Sequence, residues 1–182
     1  VANAGIASSA PLEETTIALW KKNYDVLAEG YFLTSRSAWP LLKRMKEQGG
    51  TSVVFIGSKN AVAAATNASA YASAKAAANH LARCLALEGA PAGIRVNVVN
   101  PDAVIRGSKI WDGEWRQERA GAHGIDAGQE LEDHYRQRSM LKRDVLPEDI
   151  AEAVYFLASD ASAKSTGNMI NVDAGNAQAF TR

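Results

Sequence analysis

The twenty residues from Ser69 to Glu88, SAYASAKAAANHLARCLALE, constrain this chain more than any other stretch. They read as one long helix built mainly from small residues, with Tyr71 and Lys75 four apart near its start. Side chains at i and i+4 share a helix face, so a phenol and an ammonium are held side by side over whatever that face meets. A phenol titrates near about pH 10 in water, and a positive charge close by favours its ionised form. Thirteen residues before Tyr71 stands Ser58, directly after TSVVFIG, a β-branched run that reads as a buried strand. A strand end beside a helix start can deliver a hydroxyl to the phenol, where both could bond the oxygen of a reacting alcohol or carbonyl. A tyrosine and a lysine at this spacing also describe a surface aromatic beside a snorkelling amine. The serine, the alanine run and a following strand set this instance apart.

That following strand is IRVNVVN, reached through a short turn from Gly89 to Gly93. Strand, helix and strand in succession argue a parallel crossover. Asn97 and Asn100 are read as satisfying backbone groups in or beyond the strand. Before TSVVFIG, residues Glu13 to Gln48 carry helical periodicity with Leu19, Val26, Leu27, Phe32 and Leu33 on an apolar side, and Gly30 and Pro40 suggest a break. Lys59 and Asn60 are expected in a solvated loop, with contact to a bound polar group as the alternative. AVAAATNASA is small and flexible and would form a wall of the cleft. Pro147 with Glu148 and Asp149 marks a helix start, with that helix reaching about Ser159. NMINVDAG reads as a short last strand and turn.

GSK at 57–59, YASAK at 71–75, NAG at 3–5, RVNVVNP at 95–101 and TGNMINVDAGNAQAF at 166–180 resemble the short-chain dehydrogenase/reductase family over nearly the whole chain. More narrowly, NPDAVIRGSKIWDGEW and the ending DAGNAQAFTR are similar to the dehydrogenase half of bifunctional rhamnulose-1-phosphate aldolase/short-chain dehydrogenase proteins. The resemblance implies an α/β, doubly wound, Rossmann-like parallel sheet. Residues 1–182 would be its C-terminal portion, with the N-terminal strands and the glycine-rich phosphate loop expected upstream, because no GxGxxG or GxxxGxG occurs here. It implies a catalytic set of Ser58, Tyr71 and Lys75, and a nicotinamide site formed by Asn3, Ala4, Gly5, Tyr71, Lys75 and Pro101. The cofactor would be NAD, with NADP as the alternative. The substrate would be an alcohol or aldehyde hydrate, with lactaldehyde in rhamnose catabolism suggested by the narrower likeness. A homo-oligomer and an upstream aldolase domain are the implied partners.

Two departures from the family pattern qualify this. Aligning WKKNYDV places Leu27 where the family carries its relay asparagine, with Asn23 one turn earlier. After Pro101, Asp102 stands in place of a glycine and Arg106 in place of a threonine beside the nicotinamide; the two could pair with each other or meet a polar substrate. A catalytically silent scaffold within a larger aldolase–dehydrogenase is therefore the second reading.

Residues 107–146 are expected to form a charged lid insert. Trp111 and Trp115 within it would cap a pocket or pin the insert down, and most of its arginines should form a solvated ion-pair face. Its two histidines, His123 and His134, lack companions at metal-site spacing, so no metal is expected. Twenty basic residues balance twenty acidic ones, which gives no broad electrostatic case for nucleic acid or an anionic membrane. The single cysteine, Cys84, is expected in core packing, and its solitude suits a reducing, cytoplasmic setting. No apolar run approaches the roughly 18 residues of a membrane helix.

Overall fold

A computed structural model describes residues 1–180; the last two residues of the DAGNAQAFTR ending lie outside the described residues. Three strands, β1 (Thr51–Ile56), β2 (Ile94–Pro101) and β3 (Met169–Val172), form a parallel sheet in the order β1-β2-β3. Ala2 extends it beyond β1 through a parallel bridge to Phe55, with Ala2 N–H donating to Val54 O and Ile56 N–H donating to Ala2 O, both at 2.9 Å. The expected crossover is present: β1 and β2 pair in register from Thr51–Ile94 to Ile56–Val99.

Alternating side chains of the strands feed two cores, as a sheet covered on both faces requires. One face carries Val53, Phe55, Val96 and Val98, packed against Tyr31, Ala78, Ala82 and Ala86. The other carries Val54 and Val99, packed against Leu157, Ile150 and Val154 of helix α6 (Pro147–Ala158). Helix α3 (Ser69–Gly89) buries Ala70, Ala74, Ala78, Ala82 and Ala86, a row at intervals of four whose small side chains allow close approach to the sheet. Cys84 lies off this row and is exposed, so its expected role in core packing is not borne out.

The preceding helical stretch also differs from expectation. It begins at Ile17, where the Thr16 hydroxyl accepts from Leu19 N–H at 3.1 Å, and runs as α1 (Ile17–Tyr24), a π-turn (Asp25–Glu29) and α2 (Gly30–Arg44). Neither Gly30 nor Pro40 breaks it. The buried positions are Asn23, Leu27, Tyr31 and Ser35, a stride of four that the π-turn brings onto one side, while Phe32 and Leu33 are exposed.

Residues 107–146 contain α4 (Glu114–His123) and α5 (Gln129–Arg138). With Ile105 they have a small core of their own, made by Trp111, Ala120 and Leu131. Among the described residues no helix is long and apolar enough to cross a membrane.

Candidate active site

Ser58 leaves the carboxyl end of β1, the end at which open parallel sheets collect ligands. Its Oγ accepts the Asn60 N–H at 3.1 Å, so its own proton is free to be donated elsewhere. Its backbone N–H donates to Asn100 Oδ1 at 3.0 Å, and the same oxygen accepts from Asn79 Nδ2 at 3.0 Å. One fully buried amide on β2 thus ties Ser58 to α3. Gly57 is required for this: a Cβ there would lie 2.1 Å from Asn100 Oδ1 and 2.6 Å from Asn79 Oδ1. The structural role expected of Asn97 and Asn100 holds, since Asn97 also bonds backbone, donating to Ser165 O at 2.9 Å and accepting from Asn168 N–H at 3.1 Å.

Tyr71 and Lys75 rise from the first turns of α3. Burial pushes the Tyr71 phenol above its usual range, a hydrogen bond from Ser58 pulls it back down, and the Asp102 charge raises it further. The phenol is therefore protonated at neutral pH. Lys75 is almost fully buried, and that burial lowers its amine from the ordinary 10.5 to about 8. Its Nζ donates to Ile56 O at 2.6 Å and to Tyr31 Oη at 3.2 Å. The expectation that Lys75 depresses the Tyr71 value is thus corrected for the chain alone: the lysine is held by β1 and α2, and the pull on the phenol comes from Ser58.

Sequence reasoning missed Tyr31. It lies one helical turn beyond Leu27, on the same buried row, and its hydroxyl donates to Ile56 O at 2.8 Å while accepting from Lys75. Its ring meets Phe55 edge-on with centroids 5.0 Å apart. Burial pushes its titration far above the usual tyrosine range, so it stays an O–H donor. Leu27, at the family's relay position, is buried and carries no polar group, and Tyr31 supplies the polar contact to Lys75 that Leu27 cannot. The only sequence signal was the four-residue spacing from Leu27.

Ser58, Tyr71 and Lys75 face one cleft of about 510 Å³, lined also by Asn3, Ala4, Gly5 and Pro101, so that every one of the expected site residues borders it. Lys59 was expected in a solvated loop and is instead 4% exposed on the cleft wall. It follows Ser58 in a tight 3-10 turn that folds it inward. Asp102 and Arg106 do not pair with each other. Asp102 is held by Arg138 at 2.6 and 2.7 Å and by Asn176 Nδ2 at 2.9 Å, and Arg106 turns to Glu132 at 2.9 Å. The ion-pair face foreseen for the insert is formed by Arg116 with Glu132 and Arg136 with Asp133 and Asp144. Trp115 lies 6.1 Å from the Tyr71 ring and 6.0 Å from Trp111, so the two tryptophans both line the cleft and pack within the insert. The His123 and His134 rings are 4.2 Å apart. Among the described residues no group of three or more His, Cys, Asp or Glu is placed to hold a metal.

The donor set suits the nicotinamide–ribose half of a dinucleotide. An ammonium has three donors, and two of those on Lys75 are taken, which leaves one for a ribose hydroxyl. The Asn3–Gly5 turn with Ile6 and Ala7 gives the cleft a low wall of small and apolar groups against which a flat ring can lie.

A family model described as enoyl-(acyl carrier protein) reductase matches residues 1–177. Oxidoreductase YuxG of Bacillus subtilis (strain 168), itself uncharacterised, is 55% identical over 100% of this chain and 26% of its own length. The crystal structure of sorbitol-6-phosphate 2-dehydrogenase SrlD from Erwinia amylovora is similar with a TM-score of 0.85 at 29% identity, covering 95% of this chain and 66% of that one. A structure described as an NAD(P)-dependent gluconate 5-dehydrogenase from Beutenbergia cavernae, with NADP bound, is similar with a TM-score of 0.78 at 30% identity, covering 95% of this chain and 63% of that one. The chain therefore spans about a quarter of the YuxG length and under two thirds of the gluconate 5-dehydrogenase chain. With a parallel sheet, a serine at a strand end and a tyrosine–lysine pair on the next helix all in place, the chain belongs to the short-chain dehydrogenase/reductase family.

Proposed function

We propose that this chain carries the catalytic half of an NAD(P)-dependent dehydrogenase that removes a hydride from an alcohol or aldehyde hydrate. The observation that carries this reading is the convergence of Ser58, Tyr71 and Lys75 on one cleft that also exposes the Asn3–Gly5 turn and Pro101. A bound nicotinamide would supply the hydride acceptor and a positive charge. Ser58, its Oγ lone pair already engaged by Asn60, donates its proton to the reacting oxygen and fixes it beside the Tyr71 phenol. Burial keeps Tyr71 protonated at rest, so for oxidation it first loses its own proton to solvent, a loss that the positive charge of a bound oxidised nicotinamide would favour. The phenolate then takes the hydroxyl proton, and in reduction the phenol donates it. Lys75 holds the ribose side with its remaining donor, and Tyr31 fixes the lysine in position.

The narrower reading takes a small hydroxy-aldehyde such as lactaldehyde as substrate, released by an aldolase domain of the same polypeptide in rhamnose catabolism. Its support is the sequence likeness over 100–115 and the fact that the YuxG relative is about four times as long as the matched region. The silent-scaffold reading draws on Leu27 at the relay position, and Tyr31 weakens that objection by taking up the lysine contact.

The test is NAD⁺ reduction by the full-length protein with hydroxy-aldehydes and polyols, in the native sequence and in Ser58→Ala and Tyr71→Phe. Each variant should lose about 100-fold or more in kcat, as expected for removal of a proton-transfer or oxyanion group. Turnover retained in Tyr71→Phe refutes the assignment, and no turnover by the native protein refutes the dehydrogenase reading.

A further inference from the structure

The cleft wall is strongly cationic in a chain whose formal net charge is zero. Its charged lining residues are Lys59, Lys75, Lys109, Arg119 and Arg138 against the single carboxylate Asp102. Asp102 is already committed to Arg138 and Asn176. Lys75 is committed to Ile56 O and Tyr31. That leaves Lys109, which is exposed, and Lys59 and Arg119, which are 4% and 7% exposed; among the described residues no carboxylate lies within 4.0 Å of either buried cation.

A buried cation without a counter-ion is costly, and folded chains keep one mainly where a ligand completes it. Arg119 is pre-positioned for such a task. Its Nε donates to Tyr135 Oη at 3.2 Å, one terminal nitrogen lies 3.1 Å from His123 Nε2, and the guanidinium stacks 5.6 Å from the Trp115 ring that also contacts Tyr71. Burial, the adjacent His134 ring and the arginines Arg119 and Arg138 all lower the His123 imidazole, favouring the neutral form that accepts from Arg119. Lys59 stands next to Ser58 in sequence and on the same wall. Burial lowers its amine, Arg138 and Arg119 lower it further, and Asp102 and Asp173 act the other way. An anion arriving in the cleft would relieve that cost.

We propose that Lys59 and Arg119 form a carboxylate-binding subsite beside Ser58 and Tyr71, which receives the acid made when an aldehyde hydrate is oxidised. The inference rests on the dehydrogenase reading and deepens it, because it favours aldehyde-to-acid chemistry over oxidation of an uncharged alcohol to a ketone. A hydrate RCH(OH)₂ gives its C–H hydrogen and both bonding electrons to the nicotinamide as hydride. With the Tyr71 proton first lost to water, one hydroxyl proton passes to the phenolate, the carbon becomes a carboxylic acid, and loss of the second hydroxyl proton to water leaves the carboxylate. Ketone formation from an uncharged alcohol ends on a neutral product and would leave both cations without a counter-ion throughout the cycle.

The experiment uses the full-length protein saturated with NADH and compares 2-hydroxypropanoate with its uncharged isostere lactamide by calorimetry and as inhibitors. The carboxylate should bind about 10- to 100-fold more tightly, the worth of a charge-assisted hydrogen bond. Lys59→Met should erase that preference, leave the NADH Kd within about twofold, and raise the melting temperature because a buried unpaired charge is gone. Lys59→Arg should restore part of the preference. Equal binding of the two probes by the native protein overturns the proposal. So does a Lys59→Met variant that weakens NADH instead, which would assign the cation to the cofactor, or one that melts lower with the preference intact, which would make Lys59 structural. Absence of NAD⁺ turnover with hydroxy-aldehydes and polyols alike would sink the dehydrogenase reading, and it is distinguishable because probe binding is read without turnover.

Discussion

Replacing Asn100 by alanine should both destabilise the protein and disable Ser58, although Asn100 touches no reacting atom. The side chain is fully buried, and its Oδ1 is the acceptor for the Ser58 N–H and for Asn79 Nδ2, each at 3.0 Å, while its Nδ2 reaches Asn171 Oδ1 at 3.4 Å. Truncation strands two buried donors, each costing ~1–3 kcal/mol when left unpaired, so the loss is ~2–6 kcal/mol. At ~2–4 °C per kcal/mol for a domain of this size, a mid-range loss of ~4 kcal/mol lowers the melting temperature by about 8–16 °C. The catalytic consequence follows from position. Gly57 and Ser58 are wedged against this amide so tightly that a Cβ on Gly57 would collide with it at 2.1 Å. Without the amide, the serine can move by a fraction of an ångström to an ångström, a displacement able to cost about 100-fold in rate. The assay pairs thermal unfolding with steady-state kinetics on the full-length protein. The expected pattern is a large drop in kcat with the cofactor Kd preserved, because the Asn3–Gly5 turn and Lys75 are untouched. A variant that melts within about 2 °C of the native protein and keeps kcat within twofold would show that the network is ornamental and the reasoning wrong.

Two further outcomes follow from Lys75. Tyr31→Phe keeps the ring against Phe55 but removes one acceptor from a buried ammonium, so the lysine should titrate about one pH unit lower than its present value of about 8. The alkaline limb of kcat/KM should move to lower pH by that amount, and an unmoved limb would strip Tyr31 of its positioning role. In the native protein the folded amine titrates at about 8 and the unfolded one near the ordinary 10.5, so between those values the unfolded state binds more protons and stability rises with pH. The gap at ~1.4 kcal/mol per pH unit amounts to ~3 kcal/mol, present as a cost below pH 8 and relieved as the pH climbs through the window. Denaturant unfolding of native and Lys75→Met protein across that window should show the native curve gaining on the variant, and parallel curves would contradict the burial argument.

The strands and the long helix were legible because each is specified by a local pattern that burial on both faces of a sheet enforces. TSVVFI and IRVNVVN pair as read, and the alanines of α3 face the sheet. That Ser58, Tyr71 and Lys75 would meet at one cleft was legible in their spacing, since a strand end and the first turn of the next helix come together in a parallel crossover, whereas their roles came only from the family resemblance. What spacing could not supply was the direction of side chains whose partners are distant in sequence. Lys75 is satisfied by Ile56 and Tyr31, not by the Tyr71 that shares its helix face, because a buried ammonium goes to the strongest acceptors in reach. Leu27 was rightly read on the apolar side, but Tyr31 was missed for a related reason: a π-turn changes the stride of the helix from 3.6 toward about 4, so an apolar face counted at the ordinary period lands on Phe32 and Leu33, which are exposed. Asp102 found Arg138 across 36 residues, a pairing that composition cannot foresee. The Lys59 reversal carries the functional point. A lysine after a strand reads as solvated by every local rule, and the tight turn that folds it under the Ser58 loop is what converts it into a buried charge facing the reacting groups. Where local rules give a cheap outcome and the fold imposes an expensive one, the expense needs a compensating ligand, and in this cleft that ligand is an anion.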